Sequence, residues 1–166
     1  RLPAAAALVV ALAAPSGAQA PARPHWIATW SASQSEAPRR PRAGTPDRAP
    51  TYGDRTLREI VHTTLDGDSL RIHLSNEYGD RPLVIGEAQV ALREAGANTT
   101  PGSARSLTFG GRPSVTVGAG ASVVSDPVAF AVPVLRDLAV SLYLPDSARV
   151  STFHPLGLQA NYVSGA

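Results

Sequence analysis

Apolar and polar residues alternate along the central part of the chain with the two-residue period of a β-strand. Residues 69–76 place apolar side chains at every second position with polar ones between them: Leu70, Ile72 and Leu74 against Arg71, His73 and Ser75. One face of such a strand is buried and the other is wet. Asp66-Gly67 precedes this run as a hairpin-type turn, a second turn covers residues 78–82, and residues 86–94 alternate again. The pattern predicts that residues 56–94 form an antiparallel meander.

Short extended runs continue on both sides of this region, separated by glycine and proline turns. The alternating aromatic run 25–33 predicts a first strand, and further strands are predicted at 107–109, 114–117, 121–124, 137–144 and 157–164. No segment after residue 22 has a helical period over three turns. Many short strands without helices predict an all-β, antiparallel β-sandwich or jelly roll of about eight to ten strands.

The N-terminal residues have the pattern of an export signal. Residues 1–22 combine a basic start, a short apolar run and small residues in A-x-A order, which is typical of a secretory signal peptide. The apolar run is too short for a permanent membrane anchor. We therefore predict a secreted, extracellular or periplasmic protein whose residues 23–166 form one domain. Residues 23–55 are predicted to hold the first strand and a surface loop at 36–50, where prolines prevent sheet pairing, and residues 56–166 the rest of the sandwich.

Composition excludes several kinds of site. All 15 basic residues are arginine and the net charge is only +2, and because the arginines are scattered we expect no nucleic-acid partner. The chain has no cysteine, so disulfides and thiolate metal sites are excluded. The histidines are far apart in sequence and lack metal-ligand spacing: His25, His62, His73 and His154. No metal or cofactor is predicted.

Two features suggest chemistry. Residues 67–70 spell GDSL, a motif of serine esterases, but the nucleophile of those enzymes lies where a strand ends and a helix begins. Ser69 instead follows a turn and opens a strand, so a turn serine is the favoured interpretation and a nucleophile the alternative. Trp26, Trp30 and Tyr143 offer aromatic rings on which a sugar could stack, although core anchoring explains them as well.

Four separated segments resemble, in order, the N-terminal β-domain of bacterial secreted SGNH/GDSL-type hydrolases. They are TLREIVHTTLDGDSLRIHLSNEYGDRPLVIGEAQVAL, LTFGGRPSVTVGAGASVVSDPV, DLAVSLYLP and FHPLGLQANYVS. The resemblance implies that Ser69 lies in the β-domain and that a separate catalytic domain follows, with its own GDS serine, oxyanion-hole residues and a DxxH. That domain is absent from these 166 residues, which contain no Asp-x-x-His, so no catalytic, metal or cofactor-binding residue is assigned.

The resemblance predicts a non-catalytic region of an esterase or lipase that hydrolyses carboxylic esters of lipids or acylated carbohydrates. Its expected partner is its own C-terminal catalytic domain. The first alternative is a stand-alone secreted carbohydrate-binding β-sandwich module. The second is a self-sufficient esterase built on Ser69.

Overall fold

The computed structural model describes residues 25–37, 49–154 and 157–165. The predicted signal peptide and most of the proline-rich loop 36–50 lie outside the described residues. Within the described ranges the chain forms fifteen strands and no helix: β1 Ser35–Glu36, β2 Thr51–Tyr52, β3 Arg55–His62, β4 Gly67–Leu70, β5 His73–Ser75, β6 Leu83–Ile85, β7 Glu87–Leu92, β8 Arg105–Ser106, β9 Val115–Val117, β10 Ser122–Val124, β11 Val128–Val132, β12 Asp137–Leu144, β13 Ala148–Arg149, β14 Thr152–Phe153 and β15 Tyr162–Val163. The all-β prediction is confirmed.

A five-stranded antiparallel sheet forms one layer, in the order β15-β3-β12-β7-β8. Its central strand, β12, pairs with β3 from His62–Asp137 to Arg55–Leu144 and with β7 on its other side. Directly opposite residues in an antiparallel pair point to the same face. The inner face therefore carries the even-numbered apolar residues of β12 and β7, of which Val90 is fully buried.

Three two-stranded pairs, β4–β11, β5–β10 and β6–β9, pack against that inner face. The resulting core contains side chains from both layers and from the loop after β8: Leu70, Ile85, Ala88, Val90, Leu107, Phe109, Phe130, Val132, Leu138, Val140 and Leu144. Burial of this apolar surface between the layers is the main stabilising term of a sandwich. The arrangement is β-sandwich-like.

Interrupted strands explain why more segments are present than the eight to ten predicted. The extended run 83–92 breaks at Gly86, where the Gly86 amide donates a hydrogen bond to the Tyr143 carbonyl oxygen at 2.9 Å. Before this point β6 pairs with β9, and after it β7 pairs with β12. A Cβ atom at Gly86 would lie 2.9 Å from Cδ1 of Tyr143. Glycine thus permits the close approach at which the chain changes pairing partner.

The predicted meander over residues 56–94 is wrong. None of the strands β3 to β7 pairs with another strand of this region: β3 to β6 each pair with distant later segments, and β7 pairs with β12 and with the next strand, β8. Between β3 and β4 the chain turns away at Thr63, a buried residue whose Oγ1 donates a hydrogen bond to the Arg136 carbonyl oxygen at 2.9 Å. Asp66-Gly67 is consequently not a hairpin turn.

The predicted first strand over residues 25–33 is also wrong. No strand occurs there, and the first paired residues are Ser35 and Glu36. Residues 25–34 instead form a strap across the outer face of β4 and β5. Several contacts hold this strap: among them, Thr29 Oγ1 accepts hydrogen bonds from the Thr64 and Leu65 amides, the Trp26 ring packs on Arg71, and Gln34 Oε1 accepts one from Ser75.

The turn predicted at residues 78–82 is present between β5 and β6, and a buried asparagine organises it. Asn76 Nδ2 donates to the carbonyl oxygens of Arg81 at 2.8 Å, Gly118 at 3.1 Å and Val117 at 3.2 Å. The Asn76 carbonyl oxygen accepts from the Gly79 amide at 3.0 Å. A Cβ at Gly79 would lie only 1.8 Å from Asn76 Oδ1, so the turn requires glycine there.

Candidate functional site

The GDSL string is strand β4 itself. Ser69 lies directly opposite Ala129 of β11, and its Oγ donates a hydrogen bond to Oδ1 of the adjacent Asp68 at 2.9 Å. Ser69 is therefore inside a paired strand rather than in the turn where sequence reasoning placed it. An activated serine needs a general base within hydrogen-bonding reach. Among the described residues no histidine forms a hydrogen bond with Ser69.

The histidines are dispersed. His154 Nδ1 lies 2.9 Å from the Ser33 carbonyl oxygen, His73 stands opposite Val124 on the outer face, and His62 pairs with Asp137. In the described part of the chain no three or more His, Asp or Glu side chains gather where they could hold a metal ion. None of the sequence-predicted candidates is thus brought together into one catalytic or metal centre.

One ionic cluster lies where β12 begins. Asp137 Oδ1 is 2.8 Å from His62 Nδ1, and Asp137 Oδ2 accepts a hydrogen bond from Arg93 Nη1 at 2.7 Å. Hydrogen bonds from His62 and then Arg93 lower the pKa of Asp137 below its ordinary value, and the bond to Asp137 raises the pKa of Arg93. The cluster joins the ends of β3, β12 and β7. We interpret it as a structural cluster, because the interactions among its three side chains connect the ends of three neighbouring strands.

The three aromatic rings suggested for sugar stacking do not form one platform. Trp26 is 38% exposed, and the guanidinium carbon of Arg71 lies 3.9 Å from its ring centroid. Tyr143 stands on the outer face of the five-stranded sheet, where its hydroxyl donates to Asp54 at 2.9 Å and this hydrogen bond raises the pKa of Tyr143. Trp30 is 47% exposed and lines a cleft. Only Trp30 is thus placed beside a concave surface.

That cleft has a volume of about 840 Å³, within the usual range for small-molecule sites. On one side it is lined by the inner face of the five-stranded sheet and by β6, which expose Leu57, Leu142 and Leu83. The short pair β2–β13 and strand β14 also line it. Trp30, the turn after β5 and the segment 157–163 contribute further lining residues. The cleft is a concave surface with a mixed polar and apolar lining, and its apolar part is continuous with the sandwich core.

Glu59 is the charged residue on the sheet side of this cleft. It stands directly opposite Val140 and therefore shares the inner face of β3 with Leu57 and Val61. The side chain is exposed to the water of the cleft, yet protein surrounds it closely enough that burial raises the pKa of Glu59. No described residue forms a hydrogen bond or ion pair with its carboxylate. Glu59 is thus available to a ligand.

Sequence reasoning missed Glu59, although a pattern in the sequence marks it. In β3 the inner-face positions read Leu57, Glu59 and Val61. A charged residue at a position where the alternation requires an apolar one indicates either an edge or a site. The cleft itself could not be derived from the sequence, because it depends on pairings between distant segments.

Comparison with known proteins found neither a family model nor a curated protein that matches this chain. The SGNH/GDSL resemblance therefore stays a prediction. Within the described ranges no helix is long and apolar enough to cross a membrane.

Proposed function

We propose that this chain is the non-catalytic β-sandwich region of a secreted SGNH/GDSL-type serine esterase or lipase and that it packs on the catalytic domain of that enzyme. The observation that carries the proposal is the position of Ser69. Its hydroxyl is bonded to Asp68 inside a paired strand, so the GDSL string belongs to the framework. Ester hydrolysis in such a protein would then depend on a serine outside these residues.

The positions of the resembling segments in the fold also support the proposal. The four segments that resemble the family supply β3 to β7, β9, β10, β12, β14 and β15, which include all but one strand of the five-stranded sheet. A resemblance spread over the strands that make the core is typical of shared architecture rather than of a chance motif.

Exposed apolar side chains supply a surface that a second domain would cover. Three side chains of the strap are exposed: Trp26, Ile27 and Trp30. Leu65 is exposed as well, and it lies beside the strap because its amide donates a hydrogen bond to Thr29. Large apolar groups that lie together on a surface often mark an interface. Contacts between domains of one chain use surfaces of this kind.

The test starts with the source gene beyond the codon for Ala166. We expect an open reading frame that encodes an apolar strand followed by a GDS serine. The full-length secreted protein should then hydrolyse p-nitrophenyl acetate, retain this activity in Ser69→Ala and lose it when the downstream serine is replaced by alanine. A stop codon directly after Ala166, or loss of activity in Ser69→Ala with a normal melting temperature, would overturn the proposal.

One observation favours the alternative of a carbohydrate-binding module: Trp30 is 47% exposed and lines the large cleft. An aromatic ring beside a concave surface suits stacking against a pyranose face. Calorimetric titration with soluble glycans tests this alternative. Trp30→Ala should abolish binding, whereas Trp26→Ala is the matched control because one face of the Trp26 ring already packs on Arg71.

A further inference from the structure

Glu59 has surroundings that a framework carboxylate does not need. On β3 its neighbours on the same face are Leu57 and Val61, and opposite it on β12 stands Val140. Leu57, Val61 and Val140 all belong to or pack against the hydrophobic core. A framework position here would be filled by another apolar side chain. A carboxylate instead adds a negative charge to the apolar wall of an 840 Å³ cleft.

No side chain in the described part of the chain pairs with this carboxylate. His154, Arg81 and Arg149 line the same cleft, but none of these described side chains forms an ion pair or hydrogen bond with it. Partial enclosure by apolar groups removes some of the hydration of a carboxylate, and a hydrogen-bond donor or an opposite charge restores that stabilisation. In agreement with this, burial raises the pKa of Glu59.

A ligand suited to this site carries a positive charge for the carboxylate and an apolar surface for the wall of the cleft. A metal ion requires several acidic or histidine ligands, and among the described residues no three such side chains gather where they could hold one. A protonated amine needs only one carboxylate and donates charge-assisted hydrogen bonds to it. The apolar residues Leu57 and Leu142 and the exposed ring of Trp30 can contact the rest of such a ligand.

We propose that the cleft binds a protonated primary amine carried on a body with an apolar face, with the ammonium group on Glu59 and the body against Leu57, Leu142 and Trp30. This site goes beyond the proposed role as an esterase framework and does not depend on it. An aryl or alkyl amine and an amino sugar share this chemistry, and the experiment separates the two sources.

The experiment compares matched probes by calorimetric titration at pH 7. Phenethylamine is tested against its neutral counterpart phenethyl alcohol, and a glucosamine tetramer against its fully N-acetylated form. We expect at least one amine to bind. Its neutral counterpart should bind at least tenfold more weakly, because one charge-assisted contact is lost. Binding of phenethylamine alone identifies an apolar amine as the ligand class, and binding of the glucosamine tetramer alone identifies an amino sugar.

Two variants assign the effect to the carboxylate. Glu59→Gln keeps the shape and removes the charge, so affinity for the binding amine should fall at least tenfold. Glu87→Gln is the control, because Glu87 is an exposed glutamate opposite Tyr143 on the outer face, and it should bind as the unmodified protein does. The proposal is overturned if neither amine binds at millimolar concentration, if the neutral probes bind as tightly, or if Glu59→Gln binds unchanged. If Glu59→Gln fails to fold, the comparison of charged and neutral probes on the unmodified protein still tests whether binding requires the positive charge.

Discussion

Asn76 and Gly79 form a buried contact whose energetics can be tested with two substitutions. Asn76 is only 4% exposed, and its Nδ2 donates to three carbonyl oxygens at 2.8 to 3.2 Å. Asn76→Ala would leave these carbonyls without that donor, and an unsatisfied buried polar group costs about 1–3 kcal/mol. Because the Val117 carbonyl is buried and the other two are partly so, we expect a loss of about 2–3 kcal/mol in the free energy of unfolding.

Gly79→Ala should destabilise the protein by a comparable amount, because the added methyl group would clash with the Asn76 side chain. The added Cβ would lie 1.8 Å from Asn76 Oδ1, 2.5 Å from its Cγ and 2.8 Å from its Nδ2. The asparagine cannot retreat without giving up its hydrogen bonds. All three clashing atoms are absent from alanine at position 76. The double variant should therefore be only about 0.5 kcal/mol less stable than Asn76→Ala alone, which is a strongly non-additive pair.

Urea unfolding of the four proteins measures this cycle, with midpoints compared at a constant m-value. Asn76→Asp is a useful second substitution at position 76, because it keeps the shape but turns an oxygen toward the three carbonyls, and it should cost more than Asn76→Ala. Additive losses from the two single variants would refute the reasoning. So would an Asn76→Asp variant as stable as the unmodified protein at pH 7.

Two further predictions concern the core and the ionic cluster. Phe130→Ala removes a buried ring from the core and should lower the free energy of unfolding by about 3–5 kcal/mol; Val163→Ala, at an exposed position, is the control and should change it by less than about 0.5 kcal/mol. Asp137 has a lowered pKa owing to His62 and Arg93, so its stabilising effect exists above its unfolded pKa of about 3.9 and is lost as the pH falls through its folded pKa. Asp137→Asn should therefore be about 1–2 kcal/mol less stable near neutral pH, and urea titrations should show this difference shrinking below about pH 4. A difference that stays constant from pH 7 to pH 3 would contradict the assignment.

The sequence predicted the buried faces of the strands better than it predicted their partners. Alternation in residues 69–76 and 137–144 correctly predicted that Leu70, Leu138, Val140 and Leu144 are buried, although Ala139 on the opposite face of β12 is buried as well. Alternation is a local property, since it records which face of a strand meets the core. Pairing is decided by contacts between residues far apart in the chain, so Asp66-Gly67 suggested a hairpin where Thr63 turns the chain toward Arg136.

In the strap, by contrast, the alternation of residues did not correspond to a strand at all. Residues 25–33 alternate aromatic and small side chains, but Trp26 and Trp30 remain exposed and no neighbouring strand pairs with them. Alternation predicts a strand only where a sheet edge is available. The candidate site could be foreseen only in part, because Glu59 breaks the apolar pattern of β3 whereas its cleft is assembled from segments spread between Trp30 and Val163.

The pairing pattern has a consequence for how the chain acquires its structure. Arg55 of β3 meets Leu144 of β12, Gly67 of β4 meets Val132 of β11, and His73 of β5 meets Val124 of β10. The first half of the sheet framework thus has no strand to join until the second half exists. Folding must close long loops before these three ladders form, which makes it slow compared with a meander of the same size. A ribosome-bound chain halted before β10 would accordingly hold β3, β4 and β5 unpaired, in an extended form that proteases cut.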